Sequence, residues 1–391
     1  MLCTVLCCIL GACATHGPRG GLTVDTLPAL RWEDRVVEVS AVAARAPTPD
    51  LLAVDGAMRD FVERYTRGLP RGRARLLALH RAVRGPASLG IDYDPAAEGT
   101  AREVFHRGSA NCLSYASLFV ALAREAGLRA NYQWLRTRPQ WTLQGERVTV
   151  RLHVNVMVTA PHGDGFMVDI DPVPTREVAG TRRISDRDAQ ALYHSNIAMN
   201  ALAEQAVERA WVHSVRALQL SPGVPHLWVN LGAVYRYAGQ LPAAEQNYLH
   251  ALRLDPQNDS AMNNLVVLYG LQGREAERAR WQARVAEYRR ANPYYHAWLG
   301  DRAATQREWR QARDYYARAV ALLPDDSRLL YALGLAHYEL DEPGAASGFI
   351  RRAIEHATLR SDIAAYETRL REVERALGTG GQPSAGRSMR M

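Results

Sequence analysis

The 391-residue chain contains no lysine: all 48 of its basic side chains are arginine, set against 41 acids. The resulting net charge of +7 is scattered among those acids and never gathers into a basic tract with interleaved aromatics, which argues against nucleic-acid binding. Cysteine is scarce too. Four of the five cysteines (Cys3, Cys7, Cys8 and Cys13) fall in the first thirteen residues, and Cys112 stands alone in the rest. No Cys/His spacing suits a metal, and neither a metal nor another cofactor is expected. After the first dozen residues no apolar run is long enough to span a membrane. With 47% hydrophobic and 23% charged residues the chain can still bury a core, and its length calls for two or three domains.

The chain opens MLCTVLCCILGACATHG, a short apolar run ending in Leu10-Gly11-Ala12-Cys13. Small residues before a cleavage point mark a signal peptide rather than a membrane span. The stretch resembles a bacterial lipoprotein signal, whose lipobox is a leucine, two small residues and the cysteine that becomes the lipidated N-terminus. The resemblance implies that residues 1–13 are a signal ending at the lipidation site Cys13. Ala14 follows in place of an aspartate, which implies a periplasmic protein anchored to the outer membrane. Export would leave Cys112 as the lone free thiol in an oxidising compartment, a reason to suspect reactivity. Residues 14–50, with Pro-Arg-Gly-Gly early and Ala-Pro-Thr-Pro late, read as a tether.

From Leu51 the apolar spacing turns helical in LLAVDGAMRDFVERY and again in RARLLALHRAV. Thr100 and Glu103 form a capping box before AREVF. After the break GSAN, CLSYASLFVALAREAG reads as a helix closed by Gly127, with Cys112 in its first turn. The period then changes to two. In RVTVRLHVNVMVT the residues Val148, Val150, Leu152, Val154, Val156 and Val158 share one face, and His153 lies on the other. The turn PHGDG and the segment FMVDIDP complete a β-hairpin signal, with Asp169 and Asp171 opposite Val168 and Ile170. Helices followed by antiparallel strands make residues 51–180 an α+β domain.

A thiol becomes nucleophilic when its thiolate is favoured, as a helix N-terminus and a neighbouring histidine both do. If the hairpin packs across the Cys112 helix, cysteine, histidine and carboxylate come together in that order. The segments GSANCLSYASLFVALAREAGLRA, LHVNVMV and FMVDIDP resemble, in the same order, the cysteine helix, histidine strand and aspartate strand of the transglutaminase-like, papain-like superfamily. The resemblance covers roughly residues 55–175. It implies Cys112 as nucleophile, His153 as general base and acid, and Asp169 as the orienting carboxylate. Asp171 is the alternative, because it alone precedes a proline. The Cys112 backbone amide would contribute to an oxyanion hole, and His106 is a candidate side-chain donor.

The C-terminal half carries a different signal. Gly232, Val266, Gly300 and Gly334 are spaced by 34 residues, each preceded by leucine, and Trp228, Leu231, Gly232 and Tyr235 spell W-x-x-L-G-x-x-Y. Ala244, Tyr248, Ala251 and Pro256 complete the tetratricopeptide pattern, whose period is 34. Five repeats fit residues 191–358, the third degenerate with Arg278 and Val285 in alanine slots. A capping helix at 359–377 and a disordered tail at 378–391 follow. Asn196, Asn230 and Asn264 recur at the same 34-residue interval. Asparagine is a poor residue inside a helix, and this trio resembles the asparagine ladder of repeat arrays that grip an extended peptide backbone.

The expected architecture is therefore an α+β papain/transglutaminase-like domain followed by an all-α tetratricopeptide solenoid. The expected function is a cell-envelope Cys-His-Asp enzyme acting on amide bonds through a thioester, as peptidase, amidase or transamidase. A protein or peptide partner would lie in the repeat groove, and the membrane would be met through the lipid anchor. The alternative is a non-catalytic periplasmic adaptor that binds partners through the repeats.

Overall fold

The computed structural model describes residues 22–137, 140–141, 148–149, 152–159, 165–172, 178–357 and 360–378. The lipoprotein signal expected at 1–13 and the disordered tail expected at 378–391 lie, apart from Gly378, outside the described residues.

Residues 22–50 are folded, where the sequence suggests a tether. A hairpin of β1 (Leu30–Trp32) and β2 (Arg35–Val37) pairs Leu30 with Val37, and the short helix α1 (Val42–Arg45) follows. Val24, Leu27, Leu30, Val37, Val42 and Ala46 are buried, and this apolar burial pins the segment to the rest of the protein. Polar contacts complete the seam. The Gln240 side chain accepts from Arg31 N–H at 2.8 Å and donates to the Ala29 carbonyl at 3.0 Å, and Arg35 and Arg45 both reach Glu208. Elements this short carry too little periodicity to be read from a sequence.

The α/β region begins with α2 (Gly56–Thr66), whose first turn is capped by the Asp55 carboxylate on Met58 N–H at 3.0 Å, and α3 (Arg73–Arg84). The two-residue strand β3 (Asp92–Tyr93) leads to α4 (Ala101–Arg107). The capping box is reciprocal: Thr100 N–H donates to Glu103 Oε2 at 2.7 Å and Glu103 N–H donates to Thr100 Oγ1 at 3.3 Å. Gly108, at φ +82°, ends the helix in the left-handed conformation that glycine tolerates best. β4 (Ser109–Ala110) then pairs in parallel with β3, and α5 (Cys112–Glu125) starts immediately afterwards. Every residue from Leu113 to Ala123 is buried, making α5 a core helix rather than an amphipathic surface one.

Four antiparallel strands follow: β5 (Arg129–Thr137), β8 (Leu152–Thr159), β9 (Gly165–Val168) and β10 (Val178–Arg183), in the order β10-β5-β8-β9. Between β5 and β8, the two-residue strands β6 (Gln140–Trp141) and β7 (Val148–Thr149) pair with each other. The hairpin read from the sequence is β8–β9. β5 and β10, which the alternation did not reveal, supply the other half of the sheet. Both faces of β8 are covered, since His153 and Asn155 are buried along with Val154, Val156 and Val158. Helix α5 packs on β5 and β8, and Tyr132 donates its hydroxyl hydrogen to Ser117 Oγ at 2.9 Å.

Five helix pairs make the array: α6 (Asp186–Ala203) with α7 (Val207–Leu220), α8 (Pro225–Tyr237) with α9 (Leu241–Leu254), α10 (Asp259–Leu271) with α11 (Glu275–Ala291), α12 (Pro293–Thr305) with α13 (Trp309–Leu322), and α14 (Ser327–Glu339) with α15 (Pro343–His356). The single helix α16 (Arg360–Gly378) closes the end. The recurring glycine has a steric cause. A Cβ on Gly232 would stand 2.5 Å from the Tyr248 ring, and one on Gly300 would stand 2.5 Å from the Tyr316 ring. The third repeat places Val266 and Gln282 at this pair of positions, moving bulk from one helix to the other. Its second helix buries only Val285, and the hydrophobic core divides there. One core runs from Val24 through the α/β region to Val285, and another from Ala297 to Val373.

The first helix of each repeat touches the α/β region. Helix α6 lies against α5 and β5, α10 against β7, and α12 against β6. On α8, His226 meets Trp134 edge-on at 4.6 Å between ring centroids, and Arg328 of α14 donates to the Val178 carbonyl.

Candidate active site

Cys112 is the first residue of α5, and its surroundings explain why the helix starts there. Asn111 is the N-cap: its side-chain oxygen accepts from Ser114 N–H at 2.9 Å, and Ser114 Oγ accepts from Asn111 N–H at 2.9 Å. Ser114 Oγ also donates to the Ala97 carbonyl at 2.7 Å, which accepts in addition from Asn111 N–H at 3.2 Å and from the Arg107 guanidinium at 3.2 Å. The cap is thus fixed from outside the helix as well as within it. The first-turn N–H groups of α5, having no partner within the helix, point their partial positive charge to the side of the sulfur.

His153 lies near the start of β8, and its Nε2 meets Asp169 Oδ2 at 2.6 Å, with both side chains almost fully buried. The same imidazole also interacts with Cys112. Burial works to lower the His153 pKa, but the hydrogen bond to Asp169 and the interactions with Cys112 outweigh it, and the pKa is raised to about 9. The structure thus brings Cys112, His153 and Asp169 together. Asp171 is exposed and turned away, and its backbone N–H donates to Asp169 Oδ1 at 3.2 Å. It supports the orienting carboxylate from behind.

His106 stands elsewhere, its Nε2 2.7 Å from Asp55 Oδ2 at the start of α2. The side chain near the sulfur is Tyr93, whose hydroxyl oxygen lies 3.9 Å from Cys112 Sγ as acceptor of the thiol. The two-residue β3–β4 pairing sets Tyr93 beside Ala110, two residues before the nucleophile position. Sequence reasoning had no means to find Tyr93, because a two-residue strand has no period.

The three asparagines of the repeats are each engaged within the protein. Asn196 interacts with Glu98 of the α/β region. The Asn230 amide donates to Ser195 Oγ at 2.9 Å, and the Asn264 amide donates to the Ser260 carbonyl of its own helix at 2.8 Å. One amide N–H of Asn230 and one of Asn264 is therefore committed, and these bonds leave the second N–H and the side-chain oxygen of each unassigned. Among the described residues, no group of three or more His, Cys, Asp or Glu side chains could hold a metal ion.

Because the folded-state pKa of His153 lies above its ordinary 6.5, the protonated pair contributes stability that is fully present below about pH 6.5 and is lost as the pH rises through about 9. Urea titrations across that window should show a fall on the order of 2–3 kcal/mol in the unaltered protein. The slope should be absent in His153→Gln, and an equal slope in the variant would show that the pair does not govern it.

The model of the transglutaminase-like superfamily matches residues 59–172, a span that contains Cys112, His153 and Asp169. The tetratricopeptide repeat model matches residues 225–258, which are the helices α8 and α9. Solved structures align at low similarity. MamA from residue 41 onward, of Desulfovibrio magneticus RS-1, is 17% identical over 49% of this chain and 97% of that one, with a TM-score of 0.25. YrrB, described as a tetratricopeptide protein with an unusual peptide-binding site, is 17% identical over 46% and 92%, with a TM-score of 0.24. PilF of Pseudomonas aeruginosa is 19% identical over 50% and 89%, with a TM-score of 0.25. Scores this low carry no functional inference. No curated protein matches. A transglutaminase-like domain joined to tetratricopeptide repeats is what the chain contains.

Proposed function

We propose that the chain is a cell-envelope cysteine enzyme that cleaves or transfers amide bonds through a thioester, and that the repeats present the polypeptide acted upon. The observation that carries this reading is the buried 2.6 Å contact of His153 with Asp169, with the same imidazole interacting with Cys112 at a helix start. His153 takes the thiol proton, and the thiolate attacks the amide carbonyl carbon. The resulting oxyanion lies within reach of the Cys112 N–H and the Tyr93 hydroxyl. Collapse breaks the C–N bond, and His153 returns the proton to the departing amine, leaving an acyl group on sulfur. Water activated by His153 then releases an acid, or an amine releases a new amide. Asp169 holds the ring and stabilises its protonated form throughout.

Tetratricopeptide repeats support binding of a protein or peptide, and the first helices of this array adjoin the domain that holds Cys112. In this reading Asn230 and Asn264 accept hydrogen bonds from successive peptide N–H groups, with Asn196 nearest the nucleophile. Envelope location follows from the Leu-Gly-Ala-Cys13 sequence, with Cys13 lipidated and the protein on the periplasmic face of the outer membrane.

The decisive experiment traps the acyl group on Cys112 and identifies the attached peptide by mass spectrometry. Turnover should vanish in Cys112→Ala and His153→Ala, fall in Asp169→Ala with a residue of activity, and survive in Asp171→Ala. Full activity in Asp169→Ala with none in Asp171→Ala would reverse the assignment of the carboxylate. Changing Asn230 and Asn264 to Ala should weaken binding of an unfolded polypeptide by about 1 kcal/mol per lost hydrogen bond. Unchanged affinity in the double variant rejects the ladder. Cys13→Ser should move the protein out of the membrane fraction, and unaltered fractionation removes the lipid anchor.

A further inference from the structure

Strand β9 ends at Val168, and the orienting carboxylate belongs to the residue after it. The ladder to β8 stops at the Val156–Val168 pair, so among the described residues no strand pairing holds Asp169, Ile170 and Asp171. Three other interactions hold them. The Ile170 side chain is buried, the Asp171 N–H donates to Asp169 Oδ1 at 3.2 Å, and the Ile170 carbonyl accepts from Arg84 Nη1 at 2.6 Å. The donor of that last bond comes from far away in the chain: Arg84 is the final residue of α3, 86 positions before its partner. An arginine at a helix C-terminus is favoured by the helix dipole, and its bond to a carbonyl is charge-assisted.

The same helix end holds the other side of the site. The last carbonyls of a helix have no partner within it. At the end of α3 the Arg81 carbonyl accepts from Gly85 N–H at 2.7 Å, the Ala82 carbonyl from Leu89 N–H at 3.1 Å, and the Val83 carbonyl from Ile91 N–H at 3.2 Å. Ser88 Oγ adds a second bond to the Ala82 carbonyl at 2.5 Å. These bonds lay residues 85–91 against the helix end, and β3, which carries Tyr93, begins at the next residue. Ala82, Val83 and Ile91 are buried, so the turn is packed as well as hydrogen-bonded. One helix terminus thus supports Tyr93 beside the sulfur and, through Arg84, the segment that turns Asp169 onto the imidazole.

We infer that Arg84 is a positioning residue for Asp169: by gripping the Ile170 carbonyl it fixes the turn after β9 so that the carboxylate meets His153 Nε2. This rests on the reading of Cys112, His153 and Asp169 as a catalytic triad. Arg84 acts through Asp169 and takes no part in making or breaking bonds. The Asp171 N–H belongs to the segment itself and moves with it, which leaves Arg84 and the burial of Ile170 as the anchors from outside. A displacement of about 1 Å at such a site can cost roughly a hundredfold in rate. Release of the turn frees the carboxylate to leave the ring, and His153 then loses the hydrogen bond that opposes its burial and helps to raise its pKa to about 9.

The test is the NMR titration of the His153 ring in the full chain, its resonance assigned by its absence in His153→Gln, beside the rate of Cys112 alkylation by iodoacetamide. The unaltered protein should show a His153 midpoint of about 9. Arg84→Met keeps the aliphatic stem and removes the donors; it should lower that midpoint by about one unit or more and slow alkylation roughly tenfold. Arg84→Lys still offers a charged N–H donor and should restore most of both. A merely structural residue would lower the urea midpoint of unfolding and leave the His153 titration where it was. An unchanged His153 midpoint in folded Arg84→Met therefore overturns the inference. Should Arg84→Met fold poorly, Arg84→Gln combined with Asp169→Asn decides. Arg84→Gln should slow alkylation when Asp169 is present and add nothing in Asp169→Asn, and an equal slowing in both backgrounds overturns the inference. A Cys112 that alkylates only after denaturation in the unaltered protein overturns the enzymatic reading alone, because the His153 titration still reports on Arg84.

Discussion

One backbone oxygen, that of Ala97, ties the start of the Cys112 helix to the rest of the molecule. It accepts three hydrogen bonds, from Asn111 N–H, Ser114 Oγ and Arg107, and so joins the approach to α4, the end of α4 and the first turn of α5. A helix start is ordinarily the part of a helix most free to fray, because its first N–H groups have no partner within the helix. Here the cap is held by neighbours on both sides in sequence, and the residue immediately after it is Cys112. The sulfur inherits a fixed position without being buried itself. The sheet delivers His153 to the same place, and Asp169 follows the last residue of β9, where the strand has ended and the chain is free to turn its carboxylate onto the ring.

What the sequence made legible is what repeats or alternates. The 34-residue spacing has a steric cause in three of the helix pairs, where a glycine answers a bulky side chain sixteen residues later: Gly232 with Tyr248, Gly300 with Tyr316, Gly334 with Ile350. The helices α2 to α5 were readable from their spacing and caps. Strands β5 and β10 were not. In β5 apolar and polar residues alternate over only six positions (Ala130, Tyr132 and Trp134 against Arg129, Asn131 and Gln133) before Leu135 breaks the period, and Gln133 is buried, against the pattern an exposed face would give. The hairpin at 30–37 escaped for a simpler reason: strands of three residues have no period to detect.

The candidate site divides in the same way. Cys112, His153 and an aspartate were legible as types in an order, with the aspartate undecided by two residues. Geometry distinguishes Asp169 from Asp171 because the chain leaves the strand after Val168, and hairpin alternation no longer governs where either side chain points. Tyr93 left no signal in the sequence, since it matters only through a contact made across the fold by the β3–β4 pairing. The asparagine register was visible, but the bonds that Asn230 and Asn264 make were not, and each bond engages one of the two amide donors inside the protein.

The division of the hydrophobic core bears on how such an array can act on its neighbour. The first three repeats share one core with the α/β region, ending at Val285, while the last two repeats and α16 pack in a second. Elements within one core resist separate displacement, because each buried side chain is held by several others; elements of different cores can move or unfold apart. Helix α6, which carries Asn196, lies within the same core as α5. A load on repeats one to three is therefore transmitted through close-packed contacts to the helix that begins with Cys112. Repeats four and five adjoin the third at α11, whose residues other than Val285 lie partly or wholly in solvent, and they meet the α/β region directly through α12 at β6 and Arg328 at Val178. The degenerate third repeat, with Arg278 where the other repeats place alanine, is the point at which the hydrophobic core shared with the α/β region ends and a second begins.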